Sequence, residues 1–224
     1  MKFPGSEGYG PQTPREGALE NELEELREKH RMLDLEKGLD EWHIETLEQE
    51  HGIDHLTGTK TREAFNGELD RVLKFVRGET DAHRAGIEPI REVSLVFIDL
   101  DNFGQVNKSI GHDAGDEVLK RAVGLIRSSV RETDTLGRFG GDEFLALLPR
   151  ANEETAKERA DAILASLLSD AELQRLGVGA SIGVCSSNLS TDPAELVRLA
   201  DEASRKAKQG GKGRVEVYAG TEGK

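Results

Sequence analysis

The segment Val93–Leu100, VSLVFIDL, constrains this chain more than any other stretch. It is short, nearly all apolar and rich in β-branched residues, without the alternation of a strand that has one wet face. Such a run reads as a central strand buried on both sides. A sheet covered on both sides needs helices, and the flanking sequence supplies them. Phe65, Leu69, Val72, Leu73 and Val76 form a helical stripe over Thr61–Val76, and Gly78–Arg91 reads as a polar loop. Beyond the strand, Asp113–Val130 reads as a helix, and Thr135–Phe139 with Glu143–Leu148 as a hairpin around Gly140-Gly141. Glu153–Leu168 has a helical pattern, Val178–Ser186 a strand pattern, Asp192–Lys208 a helical one and Val215–Tyr218 that of a last strand. The order after the first helix is β-α-β-β-α-β-α-β. That is an α/β (α+β) domain over residues 53–219, followed by a tail at 220–224.

The segment ahead of it is built differently. Residues 1–52 hold 14 acidic and 6 basic side chains, so net −8 of the chain's −13 lies in the first 52 of 224 residues. Residues 1–15, rich in Gly and Pro, read as a disordered tail. Residues 16–52 switch to Glu, Leu, Lys and Arg without proline and read as an N-terminal helix. Leu19, Leu23, Leu26, His30 and Leu33 keep a 4-3 spacing, and Met32, Leu35, Leu39, Trp42 and Thr46 continue it one position out of step. A seam that shifts register suits a short, imperfect coiled coil, a helix packed on its own domain, or a solvated charged helix. The acid excess disfavours nucleic acid and anionic lipid as partners. The longest apolar runs fall far short of the roughly 20 residues of a membrane span. Cys185, the single cysteine, has no partner in the chain for a disulfide, which suggests a reducing, cytoplasmic setting.

Carboxylates close the central strand. Asp99 and Asp101, two apart, point to one side of it, and a pair of acids there is costly to bury without a cation or hydrogen-bond donors. Asp99 could ligate Mg²⁺ while Asp101 caps the following turn, or the reverse. A second pair, Asp142-Glu143, follows Gly140-Gly141 in the hairpin, where glycine permits positive φ and close approach of a ligand to the backbone. Two neighbouring strands that each present acids could share hard, oxygen-liganded metal ions, an arrangement suited to phosphoryl and nucleotidyl transfer.

These residues resemble a known family. GGDEF at 140–144 is the signature of the GGDEF domain, the diguanylate cyclases; DHLTG at 54–58 looks like its opening D-x-L-T-G. FIDLDNFGQVNKSIGHDAGDEVL at 97–119 resembles its D-x-D-x-F…N…G-H…G-D…L segment, and ASIGV at 180–184 with LADEASRKAKQGGKGRV at 199–215 its last strand-helix-strand. The resemblance covers about residues 53–218. It implies a nucleotide-cyclase-like palm: a central, mainly antiparallel sheet flanked by helices. It also implies that two GTP molecules, one on each subunit of a homodimer, condense to cyclic di-GMP and two pyrophosphates. Asp99 and Asp142 would ligand Mg²⁺ (or Mn²⁺) with the Leu100 carbonyl, and Glu143 would complete the acidic cluster. The general base is commonly placed at the Asp142 position. Asn107 and Asp116 would read the guanine edge, an acid at 116 matching the N1–H and N2–H donors of guanine rather than adenine. Phe103 and Gly104 would offer backbone N–H groups to phosphate, Gly140 and Gly141 would let the substrate approach, and Lys208 and Lys212 would bring cations.

Arg131 and Asp134, in R-x-x-D separated from Gly140 by five residues, match the family's product-inhibition site, with Arg159 a weaker participant. His112 reads as a turn residue. The chain departs from the family's usual Lys at Gly104, Asn at Thr61, Tyr at Arg205 and Arg at Lys212. Two other kinds of protein share the resemblance: a catalytically silent GGDEF domain that senses cyclic di-GMP through Arg131 and Asp134, and a GTP-gated interaction module.

Overall fold

The computed structural model describes residues 26–33, 52–80 and 90–220. The chain divides into two units, Met1–Glu50 and His51–Lys224. In the first, residues 26–33 are helical (α1), with Leu26, Met32 and Leu33 exposed. The rest of the expected N-terminal helix and its seam, the tail at 1–15, most of the Gly78–Arg91 loop and residues 221–224 lie outside the described residues.

In the second unit α2 (Arg62–Val76) precedes β1 (Val93–Asp101), α3 (Phe103–Ile110), α4 (His112–Ser129), β2 (Thr135–Arg138) and β3 (Glu143–Pro149). Then come α5 (Glu153–Ser169), α6 (Ala171–Leu176), β4 (Gly179–Ser186), α7 (Pro193–Gln209) and β5 (Arg214–Val217). The strands lie in the order β2-β3-β1-β4-β5. Three pairings are antiparallel and only β4–β5 is parallel, so the expected palm is what the sequence forms. Two helices were not expected. No side chain caps α3, whose N-cap is Asn102 at φ 63°, so it lacks a start signal. By contrast α6 carries ordinary signals, an Asp170 N-cap and a left-handed Gly177 at its end.

All nine residues of β1 are buried. Val96, Ile98 and Leu100 join a core beneath α3, α4 and α5, while Val93, Leu95 and Phe97 join a second core with residues of α2 and α7. By the two-residue period Asp99 and Asp101 project to the α2 and α7 side, where the apolar layer ends.

Helix α7 lies very close to the sheet. A Cβ at Gly183 would overlap the Ala200 carbonyl oxygen and the Ser204 backbone nitrogen. Ala200, Ala203 and Ala207 keep that helix face thin, and Ser204 Oγ donates to the Ser181 carbonyl at 3.1 Å. Both sheet edges are guarded: Lys60 bridges Gly137 on β2, and β5 is only four residues with an Arg214–Glu216 ion pair at 3.7 Å.

Gly183→Ala is expected to destabilise the domain by about 2–3 kcal/mol, because backbone rather than a flexible side chain has to give way. Denaturant unfolding measures this, and an unchanged midpoint contradicts the packing described.

Candidate active site

At the end of β1 the chain turns sharply through Asn102 into α3. The N-terminus of α3, with the free N–H groups of any helix start, therefore lies beside the strand-end acids. A cleft of about 300 Å³ forms there, lined by Asp99, Leu100, Phe103, Gly104, Asp142, Lys208 and Lys212 together with Asp101, Asn102, Gln105 and Lys108. Eight of the residues singled out from sequence, Asp101 among them, thus meet in one place. Lys108 escaped the sequence reading, although it lies one helical turn beyond Gly104, on the same face of α3.

The two acids of the D-x-D have different partners. Lys208 Nζ, from the last turn of α7, donates to Asp99 Oδ2. Burial still pushes the Asp99 carboxyl up to about 6, against the pull of Lys208, and the charges of Asp142 and Glu143 add to the rise. Asp101 is buried too, but both its oxygens are taken: Ser181 Oγ donates to Oδ1 at 2.8 Å and the Gly213 N–H to Oδ2 at 3.0 Å. Asp101 therefore does not cap the turn that follows β1, contrary to expectation: its oxygens are taken by β4 and the segment before β5, while Asp99 faces the cleft.

The second pair of acids adjoins the first. Glu143 is the register partner of Asp99, and the Asp142 carbonyl accepts from the Leu100 N–H at 3.1 Å. Neither Gly140 nor Gly141 has positive φ, contrary to expectation. A Cβ at Gly140 would strike the Glu143 carboxylate, whereas one at Gly141 would meet open space. Glycine at 140 gives the Glu143 carboxylate room and does not adopt a left-handed backbone.

Arg138, another residue the sequence reading passed over, braces this turn. Its Nε donates to the Gly140 carbonyl at 3.2 Å, Nη2 to that of Gly141 at 2.8 Å and Nη1 to Asp54 Oδ2 at 3.1 Å. Asp54 also accepts the Thr57 N–H at 2.8 Å, so the DHLTG segment and the GGDEF turn share one guanidinium. An arginine two residues ahead of GGDEF and the acid that opens DHLTG were the available signal; their proximity was not.

Asn107 and Asp116 lie outside this cleft, on α3 and α4. Among the described residues Asn107 Oδ1 is the one buried side-chain polar atom without a hydrogen-bond partner. It fits only because residue 115 is glycine, since a Cβ there would overlap it. His112 is the exposed first residue of α4.

Arg131 and Asp134 line a different cleft, of about 510 Å³, with Lys60 and Arg127. Asp134 Oδ2 accepts the Arg131 N–H at 2.7 Å, so the acid closes the turn instead of pairing with the guanidinium. Arg159 does not line it; its Nη1 donates to the Ser129 carbonyl at 3.0 Å, at the end of α4. The Cys185 thiol is pushed up to about 12 by burial and is no nucleophile.

The family model for the diguanylate cyclase GGDEF domain matches residues 51–214. A probable diguanylate cyclase of Escherichia coli K12, DgcE, is 37% identical over 170 residues, 74% of this chain. The chain spans 14% of that protein's length. The GGDEF domain of PA1120 (TpbB or YfiN) from Pseudomonas aeruginosa superposes with a TM-score of 0.63 at 34% identity, covering 75% of this chain and 94% of that one. That of DgcB from Caulobacter crescentus, solved in complex with c-di-GMP, gives 0.63 at 25% identity, covering 75% and 96%.

The raised Asp99 carboxyl has a measurable cost. An acid whose folded pKa lies above its unfolded value favours the fold at low pH, and the contribution is lost as pH rises through about 6. Asp99→Asn, which mimics the protonated acid, is expected to stabilise the chelator-treated protein by about 1–3 kcal/mol at pH 7–8. The gain should vanish near pH 4. Melting curves across that range measure it, and a variant less stable than wild type at pH 8 contradicts the account.

Proposed function

Because this chain belongs to the GGDEF domain family of diguanylate cyclases, we propose that it condenses two GTP molecules to cyclic di-GMP, releasing two pyrophosphates. The observation that carries this reading is the cleft at the end of β1. It sets acids suited to a cation beside helix N–H groups and lysines suited to a triphosphate.

The residues fit a hard divalent cation. Asp99 and Asp142 line the cleft together, and Mg²⁺ is an ion held by one or two carboxylates with the remainder from phosphates and water. Asp99, raised to about 6 by burial and neighbouring acids, marks a place where added positive charge is favourable. Asp99, Asp142 and the Leu100 carbonyl would hold Mg²⁺ or Mn²⁺, which when bound orients the triphosphate and offsets charge at the α-phosphoryl group.

The chain's own groups do the rest. The Phe103 and Gly104 N–H groups and the ammonium groups of Lys208 and Lys212 receive the phosphates. Lys108 supplies a cation on the helix where the family's usual lysine at the Gly104 position is missing. Asn107 Oδ1, buried and unpartnered, accepts from the guanine edge beside Asp116, favouring GTP over ATP because adenine has an acceptor where guanine has N1–H. Each 3′-hydroxyl attacks the α-phosphorus of the other nucleotide in line, and pyrophosphate leaves as the new P–O bond forms. In this reading Asp142, at the family's common general-base position, takes the hydroxyl proton, with Glu143 beside it. One domain holding one GTP cannot build a two-fold symmetric product, so the active species is a homodimer. GTP as substrate implies a cytoplasmic site of action. Arg131 and Asp134, in a cleft with two further cations, support product feedback at a separate site.

Incubation with GTP and Mg²⁺, read by mass-resolved nucleotide analysis, is expected to yield cyclic di-GMP at a rate per molecule that rises with protein concentration. Asp142→Ala should abolish it. No product at any concentration overturns the reading and leaves a cyclic di-GMP receptor as the alternative. Gly115→Ala, which displaces Asn107, is expected to raise the KM for GTP about tenfold, as the loss of one well-placed hydrogen bond to a buried acceptor would.

A further inference from the structure

Asp101 and Lys212 lie far apart in the sequence, yet hydrogen bonds join the segments that carry them. Between α7 and β5 the chain runs through Gly211 at φ 115°, Lys212 at φ 65° and Gly213 at φ 55°. Three consecutive residues in the left-handed region make a tight reversal, and for Lys212, which has a Cβ, that conformation is strained. Strain of this kind persists only where both ends of the turn are held. The near end is held by the helix, with the Lys212 N–H donating to the Ala207 carbonyl at 3.1 Å and that of Gly211 to Lys208 at 3.3 Å. The far end is held by Asp101, whose Oδ2 accepts the Gly213 N–H at 3.0 Å. Asp101 is itself fixed from below by Ser181 Oγ on β4, and its side chain is buried. The turn so held delivers Lys212 Nζ to Asn102 Oδ1 at 2.9 Å, beside the first N–H groups of α3.

We propose that Asp101 is a positioning residue for the nucleotide's phosphates: it clamps the Gly211–Gly213 turn so that Lys212 already stands at the N-terminus of α3 before substrate arrives. The inference rests on the reading of the cleft as a GTP site. It assigns the second acid of the D-x-D a part distinct from the first, since Asp101 acts through two hydrogen bonds to the protein and Asp99 faces the cleft. Its geometry depends on an acceptor, not on a charge. In Asp101→Asn, Oδ1 still accepts from Gly213 while Nδ2 donates to Ser181 Oγ, whose hydroxyl turns to accept. In Asp101→Ala both bonds are gone and the strained turn is released.

The test is a double-mutant cycle on nucleotide binding, read by calorimetry with Mg²⁺ and the α,β-methylene analogue of GTP, which cannot release pyrophosphate. Lys212→Ala and Asp101→Ala are each expected to weaken binding about tenfold. The double variant should be no weaker than Asp101→Ala alone, because a lysine that is no longer presented has nothing left to lose. Asp101→Asn should stay within about threefold of wild type. Additive losses, near a hundredfold in the double variant, overturn the clamp, as does a tenfold loss in Asp101→Asn, which would point to the charge. A wild-type protein that does not bind the analogue overturns the reading of the cleft and the clamp with it. Wild-type hydrogen exchange tests the clamp even if the alanine variant does not fold. The Gly213 amide should exchange at least about tenfold more slowly than in an unstructured chain, and an unprotected amide overturns the proposal.

Discussion

Two carboxylates held out of water at the end of a doubly covered strand are the constraint on which this domain turns. β1 is buried along its whole length, so the fold has to place donors or cations where Asp99 and Asp101 emerge. Both are supplied from the last third of the sequence: Lys208 from α7, Ser181 from β4 and the Gly213 N–H from the turn before β5. The α7 and β4 elements are tied to β1 by these polar groups as well as by packing. A side chain that must find a partner far away in sequence specifies topology more sharply than an apolar one, which accepts any neighbour of the right size.

The partners are placed by close backbone approach. Gly183 lets α7 sit almost on the sheet, and the lysine at the end of that helix thereby reaches a strand-end acid two strands from β2. On the other side, Arg138 reaches two carbonyls of the Gly140-Gly141 turn and the carboxylate of Asp54 at once, so a turn without regular secondary structure is braced by a half-buried ion pair. Glycine and guanidinium do opposite jobs here: one removes volume so that elements can meet, the other fills a gap between segments that do not pack.

Much of this was legible in the letters. The unbroken apolar run of β1 announced a strand with both faces covered, and α2, α5 and α7 were found to within a residue or two, Thr61, Asn152 and Asp192 standing as their capping residues. The cleft-lining acids and lysines were found as well, through spacing and resemblance together. Of what was not, three features have a physical reason. α3 has eight residues, a glycine near its start and a left-handed N-cap, so no local rule marks it. The division of labour between Asp99 and Asp101 depends on Ser181 and Gly213, some 80 and 112 positions away, and identical sequence surroundings cannot tell the two apart. The glycines of the turn were credited with unusual backbone angles because glycine so often has them, whereas at Gly140 the reason is the side chain of Glu143.

The guarded edges of the sheet bear on how such a domain can meet its own kind. β2 is occupied along its rim by the bridge from Lys60, and β5 offers four residues of which two are charged. Sheets of this sort do not extend by recruiting a strand from a neighbour. Lateral fusion, the cheapest route by which β-proteins self-associate and also the hardest to reverse, is closed to it. Any contact between copies would then rest on side chains, and would form and dissolve without breaking the backbone ladder.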